Sequence, residues 1–468
     1  MSRSSPARLS RRELFELSAG LGLAGTLGMQ SLAWAEPSAL KISTFRAEVT
    51  PPAGHPLCGG WITPVKTVED IQEALGVVIT GAGAPIVICV VDWTGILNDA
   101  HIAWRKTLAE AVGTTPDRVA VQCVHQHDAP FVCTSARKLC DGVPGLENAV
   151  VQMDFFARVL ERVAESARKS LSQQRPLTRV ATSQAKVEKV AGNRRFIGAN
   201  GTVVDWRGSS SKNPVHKELP DGLIDPFLKT VALYDGDTRV AALHYYACHP
   251  MSHYGQGAVT SEYVGLARKR TQTADPNCQH MYFTGASGNI AAGKYNDGTP
   301  QARLDLTDRI YAAMQASLAG LMPTAVDSVG WQTVEILPQP RASFSSESLE
   351  KLIRDPSAGL ANRIRPAMML AWLNRCAEKK PVVLSALHLG NTSLLHLPAE
   401  SFLEYQLRAQ QAAPGRFIAT AAYGDGGPWY IPVKEAYPQG GYEVSVAFSE
   451  PGIDDLLTSG VEKLARRG

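Results

Sequence analysis

The sequence predicts an α/β fold, a mixed β-sheet core flanked by helices, with a metal site at the carboxyl ends of strands. Three observations predict it. Apolar runs of strand character alternate with stretches of helical spacing over residues 36–468, the pattern of layered sheet-and-helix domains. The run PIVICVVDW at 85–93 is apolar without a break, as a strand buried on both faces must be. Several strand-like runs lead straight into His, Glu or Tyr, at the end of the strand where sheets covered by helices bind their ligands.

The other elements follow in order. Residues 99–112 have helical spacing, and RVAVQCV at 118–124 is the next strand. Residues 147–171 predict a long amphipathic helix with Val151, Phe155, Val159 and Val163 on one face. Strands are expected near 230–234 and 240–248, a helix over 262–273 and a short strand at 281–283. Residues 382–389 and 392–397 read as a hairpin closed by Gly390-Asn391. A helix is expected to start near Glu400, and 417–423 is a further strand. No internal repeat and no low-complexity linker is visible. The polar stretch at 207–221 reads as a surface loop, more readily an inert one than a mobile lid.

Composition narrows the function. The 468 residues suffice for one large domain or two ordinary ones. With 44% hydrophobic and 19% charged residues the balance is that of a globular protein. Net charge is only +3, and no lysine or arginine run occurs beyond the first dozen residues, which argues against a nucleic-acid binder. The eight cysteines are not spaced as a disulfide framework. Cys89, Cys123 and Cys248 sit in apolar runs, while Cys133 and Cys140 are close enough to pair.

The N-terminus reads as an export signal. Ser10-Arg11-Arg12-Glu13-Leu14-Phe15 is a twin-arginine pattern, residues 17–32 are apolar and rich in Gly and Ala, and Ala33-Trp34-Ala35 is a small-x-small cleavage site. The expected division is an export signal over 1–35 and a catalytic domain over 36–468. It implies a periplasmic or secreted protein handled by the twin-arginine machinery. That route exports folded proteins and suits one that loads its metal first. No later stretch reaches the roughly 20 apolar residues that span a bilayer.

The chemistry is expected at the strand ends. RVAVQCV runs into His125-Gln126-His127-Asp128, and an extended chain there would put Cys123, His125 and His127 on one face. VAALHYYAC runs into His249, SLLHLP into Glu400, and FIATAAY into GDGG and then Tyr430. Imidazole and carboxylate are ordinary zinc ligands. Each piece alone has a bland reading: a His at a strand end is usually a hydrogen-bonded core residue, and GDGG is usually a turn. No H-E-x-x-H or paired C-x-x-C is present. Pattern alone points to a metal-dependent α/β hydrolase.

Several segments, in order, resemble the neutral, non-lysosomal ceramidase family. Ala47-Glu48-Val49-Thr50-Pro51-Pro52 resembles its D-I-T-P-P opening, and His125-Gln126-His127-Asp128-Ala129-Pro130 its H-T-H-S-G-P segment. Gly192-Asn193-Arg194-Arg195 resembles its N-R segment. Cys248-His249-Pro250-Met251-Ser252 and Ser261-Glu262-Tyr263-Val264-Gly265 resemble H-P-T-S and D-x-x-G-Y. Gly285-Ala286-Ser287-Gly288-Asn289 is similar to G-A-x-G-D, and Leu397-Pro398-Ala399-Glu400 to P-G-E. YIPVKEAYPQGGYE at 430–443 resembles Y-x-x-T-x-E-E-Y-x-x-Q-x-Y-E and is the most specific of these.

The resemblance implies that His125, His249, Glu400 and Tyr430 bind Zn²⁺. It implies that His127, Arg194 and Tyr442 line the site and handle protons or the carbonyl oxygen. The implied activity is hydrolysis of an amide bond of an N-acyl compound by zinc-bound hydroxide. The alternatives are an esterase or other hydrolase on the same scaffold, or a non-catalytic exported binding protein; the four filled ligand positions favour catalysis. Asp128, Glu262 and Asn289 depart from the family's Ser, Asp and Asp. The chain ends soon after the tyrosine segment, so the C-terminal β-sandwich of full-length ceramidases is expected to be absent. A soluble or loosely lipid-associated acyl substrate is therefore expected rather than ceramide within a bilayer.

Overall fold

The computed structural model describes residues 40–326 and 328–466, and the expected export signal lies outside them. The described chain is mixed α/β, with three main mixed sheets flanked by helices. Ile86–Val91 is buried at every position, as its unbroken apolar run predicts. It pairs antiparallel with Glu73–Thr80, which pairs antiparallel with Lys41–Glu48. On its other side it pairs in parallel with Val119–Cys123. A parallel neighbour needs a crossover, and helix Asp99–Val112 supplies it.

The same arrangement is built three times. Arg179–Lys186, Phe227–Asp235 and Thr238–Tyr246 pair antiparallel in succession; helix Glu262–Ala274 then leads to Gln279–Thr284, parallel to Thr238–Tyr246. Val329–Ile336, Val382–Leu389 and Thr392–His396 do likewise, and helix Leu403–Ala412 leads to Phe417–Ala421, parallel to Thr392–His396. A second helix closes each unit: Met153–Ser170, Pro300–Ala319 and Ile453–Ala465. The sequence shows no internal repeat; the repetition is one of topology alone. What recurs is strand direction and pairing, which many apolar sequences satisfy, while the connections differ in length and composition.

The three parallel edge strands meet at their carboxyl ends. Cys123 N donates to Tyr423 O (2.8 Å), Ala422 N to Thr284 O (2.9 Å) and Thr284 Oγ1 to Val124 O (2.6 Å). Gln122 ties the junction, its buried amide donating to the carbonyls of Leu397, Ala421 and Ala422 at 3.0, 3.2 and 2.8 Å. The chain segments that follow these strands therefore emerge beside one another, although they are far apart in sequence.

Some expected boundaries move. The helix expected over 147–171 begins at Met153: Asn148 has a left-handed φ of 60° and Gln152, just before the helix, is extended. Phe155, Val159 and Val163 are buried on it as predicted, while Val151 is buried in the segment before it. No helix starts at Glu400: Glu400–Ser401 pairs in parallel with Tyr430–Ile431, and the helix begins at Leu403. The 207–221 stretch contains the short helix Pro214–Glu218 and is pinned by buried Arg207, which donates to the carbonyls of His216, Asn193 and Pro220. GDGG is a turn, but Asp425 in it is buried and accepts from Asn98 N (3.0 Å) and Arg375 Nη1 (2.6 Å). All eight cysteines are free, Cys133 and Cys140 included. Among the described residues no helix is long and apolar enough to cross a membrane.

Candidate metal centre

His125 lies just past Val119–Cys123, where the chain turns with a φ of 76°. The strand does not stay extended, so the expected alternation of Cys123, His125 and His127 on one face does not hold. Ala399, Tyr423 and Trp429 also have positive φ, at 51°, 60° and 60°. Non-glycine residues hold such conformations only where their surroundings over-determine them, and these four flank one site.

The two histidines present the same edge. His125 Nδ1 is 2.6 Å from Thr94 O, and His249 Nδ1 is 2.7 Å from Ser287 O and 3.1 Å from Ile290 O. A carbonyl only accepts, so each Nδ1 carries the proton and each Nε2 bears a lone pair. Those lone pairs point at one carboxylate: Glu400 Oε2 is 3.3 Å from His125 Nε2 and 3.0 Å from His249 Nε2. The Tyr430 hydroxyl is 3.4 Å from His249 Nε2. The backbone pairing of Glu400 with Tyr430 sets these last two side chains next to each other.

This donor set fits a cation. Two imidazole lone pairs and a carboxylate, all buried, face one another, and His125 Nε2 makes no hydrogen bond. Burial, against the pull of Glu400, holds His249 down to about 4, so near neutral pH it does not supply the missing charge as imidazolium. The ligand atoms of His125, His249 and Glu400 lie within 4.8 Å of one another, a group that can hold a metal ion. Burial and then the charge of Glu400 push the Tyr430 hydroxyl well above its usual range, so a tyrosinate there requires a cation beside it. Asp275, Cys278 and His280 form a second such grouping, but there Arg239 already binds Asp275 Oδ2 at 2.5 Å.

Arg194, His127 and Tyr442 stand around this group and line the same cavity, of about 430 Å³. Arg194 Nη1 donates to the Tyr430 hydroxyl (3.2 Å), its Nε lies 3.5 Å from Glu443 Oε1, and its guanidinium covers the Trp206 ring at 4.5 Å. Burial alone would lower its pKa; Tyr430 and Glu443 outweigh that and raise it. His127 Nδ1 is 3.1 Å from His125 O, which leaves its Nε2 as acceptor. Burial, and then His125 and His249, hold its pKa well below the usual imidazole range. Burial and Glu400 push the Tyr442 hydroxyl up to about 12.

Other residues complete the site without having been predicted. The Tyr423 ring stacks on His125 at 4.2 Å, and its hydroxyl is 2.7 Å from Ser287 Oγ. Its place at the end of the 417–423 run was the only sequence signal for it. Thr94 acts on His125 through a backbone carbonyl, which any residue type would provide. Glu443 is fully buried between Arg194, Arg195 and Trp206, accepting from Arg195 Nη1 (2.9 Å) and Trp206 Nε1 (2.7 Å). Tyr263 donates its hydroxyl to His249 O at 3.1 Å, and its own N–H is held by the buried carboxylate of Glu262. Asn289 accepts from Leu403 N at the start of the helix after Glu400. Trp61, Phe131 and Trp429 form an aromatic wall, with ring centroids 5.3–6.4 Å apart. Gly208, Ser209 and Ser210, from the 207–221 stretch, line the cavity as well.

No protein-family model matches the sequence, and no curated protein matches it. Solved structures do. A structure described as ceramidase complexed with C2 aligns with a TM-score of 0.65 at 15% identity, over 91% of this chain and 75% of its own. Neutral ceramidase from Pseudomonas aeruginosa aligns with a TM-score of 0.65 at 15% identity, over 91% of this chain and 74% of its own. This chain has the fold of the neutral ceramidases.

Proposed function

We propose that this chain is an exported, zinc-dependent hydrolase that cleaves the amide bond of an N-acyl compound. The observation that carries the reading is the convergence of His125, His249, Glu400 and Tyr430 on one cavity that also presents Arg194, His127 and Tyr442. The shared fold with ceramidases supports it. The first four residues would hold zinc, which when bound activates water and polarises a carbonyl as a Lewis acid. The pattern at residues 10–35 supports a periplasmic or secreted location.

The chain's own residues divide the remaining work. Arg194 keeps its charge and stands where a carbonyl oxygen gaining negative charge needs a donor. Tyr442 remains an O–H donor at neutral pH and supplies a second such hydrogen bond. His127, neutral and with Nδ1 committed to a backbone carbonyl, offers Nε2 to hold the attacking water and receive its proton; its lowered pKa makes that step the harder one and the return of the proton to the leaving nitrogen the easier one. The wall of Trp61, Phe131 and Trp429 takes an acyl chain, each buried methylene contributing about 0.8 kcal/mol.

His127→Ala and Tyr442→Phe are expected to keep the metal and to lower kcat by about a hundredfold each. Metal analysis and steady-state kinetics on the same preparations check this; loss of metal from either variant would move that residue into the ligand set. The test of the function itself is zinc content together with hydrolysis of a panel of N-acyl amides, before and after chelation. About one zinc per chain and chelator-sensitive hydrolysis that zinc restores are expected. Undiminished hydrolysis by metal-free protein, or a zinc-loaded protein inert on the whole panel, refutes the reading.

A further inference from the structure

The cavity holds one positive charge that no acidic group among the described residues answers. Its charged lining residues are Arg194, Arg365 and Glu400. Glu400 belongs to the metal centre, and Arg194 has Glu443. Other arginines drawn inward are also answered. Arg268 pairs with Glu73 and Asp92, and Arg375 with Asp425. Arg207 donates from both Nη atoms to backbone carbonyls. Arg365 does neither among the described residues, and its Nε is buried without a hydrogen bond.

Arg365 is nonetheless held in place. Its guanidinium lies 5.6 Å from the Trp61 ring centroid and 5.9 Å from that of Trp429. The aromatic faces orient a guanidinium without cancelling its charge. It is presented from helix Leu360–Ala377, which Arg363 anchors by donating to Ile353 O (3.0 Å) and Pro144 O (3.2 Å). A half-buried cation held in place beside a partly apolar cavity is ready for a ligand that brings the counter-charge. The same charge repels a substrate half that carries an ammonium group.

We propose that the substrates of this site are N-acyl compounds bearing an anionic group, such as a carboxylate, which Arg365 binds. This rests on the hydrolase reading above and narrows it. The anion belongs either to the amine half, as in an N-acyl amino acid, or to the acyl half, as in a dicarboxylic acid monoamide. Either way the planar fork of donors on Arg365 matches a carboxylate.

The test compares kcat/KM of the zinc-loaded protein on N-octanoylglycine, on neutral N-octanoylglycinamide and on the N-propyl monoamide of octanedioic acid. At least one anionic compound is expected to be preferred over the neutral one by about tenfold or more, and the one preferred tells which half carries the charge. Arg365→Gln should remove that preference, and Arg365→Lys should restore part of it. Rising salt should shrink the wild-type ratio even if the variants fail to fold. Calorimetric binding of N-octanoylglycine and its amide to wild type and Arg365→Gln gives a readout independent of turnover. Charge-dependent binding that Arg365→Gln abolishes, in a protein that hydrolyses none of the three, would sustain this proposal and sink the hydrolase reading. Hydrolysis of all three at equal kcat/KM, unmoved by Arg365→Gln, would sink this proposal and leave the hydrolase reading standing.

Discussion

Replacing His249 with alanine is expected to abolish metal retention and to lower hydrolysis at least a thousandfold, a loss of about 4 kcal/mol of transition-state stabilisation. His249 is at the centre of the group, with Glu400 Oε2 at 3.0 Å and the Tyr430 hydroxyl at 3.4 Å from its Nε2. Its removal leaves His125 and Glu400 as the only imidazole and carboxylate of the set, and it frees the carbonyl of Ser287 that orients the ring. The effect should come through the metal and not through the fold. In metal-free protein the facing acceptors repel, and relief of that repulsion offsets part of the cost of the cavity and of the freed carbonyls, so the variant should still fold. Unfolding with and without added zinc therefore separates the two: zinc should raise the midpoint of the wild type and leave that of His249→Ala unchanged. Full zinc occupancy and a normal rate in this variant would remove His249 from the ligand set.

Glu443→Ala is expected to cost about 3–5 kcal/mol of stability, because it strands buried guanidinium groups that share this carboxylate. Glu443 is fully buried, 2.9 Å from Arg195 Nη1, 3.5 Å from Arg194 Nε and 2.7 Å from Trp206 Nε1. Glu443→Gln should cost less, since an amide oxygen still accepts from Trp206. Both variants should also lower kcat by about 10–100-fold by releasing Arg194 from its place beside Tyr430. Denaturant unfolding of metal-free protein measures the first effect, and kinetics at full zinc loading the second. A Glu443→Ala protein as stable as wild type would show that the arginines find other partners.

Much of the α/β framework is legible along the chain. Asp99–Val112 appears as the helix predicted, and the hairpin at 382–396 pairs as its apolar runs and Gly390-Asn391 turn suggest. These features depend on local periodicity, which a single sequence carries. The errors fall where contacts between distant segments decide the backbone. Glu400 is held in a bridge to Tyr430, which no local propensity near Glu400 encodes. The threefold repetition was invisible because strand pairing leaves only a weak imprint on residue identity.

The sequence by itself determined which residue types end the strands, and their likeness to ceramidase segments singled out His125, His249, Glu400 and Tyr430 among them. Only the tertiary structure decided that these side chains converge, and with which atoms. The three edge strands meet through Cys123, Thr284 and Ala422, and backbone carbonyls of Thr94, Ser287 and Ile290 turn both imidazoles so that Nε2 faces Glu400. A carbonyl that orients a ring can come from any residue, so sequence cannot announce it. The same holds for Arg365: a lone arginine in a helix has no special look, and its charge gains meaning only from the aromatic rings that hold it beside the cavity it shares with the metal centre.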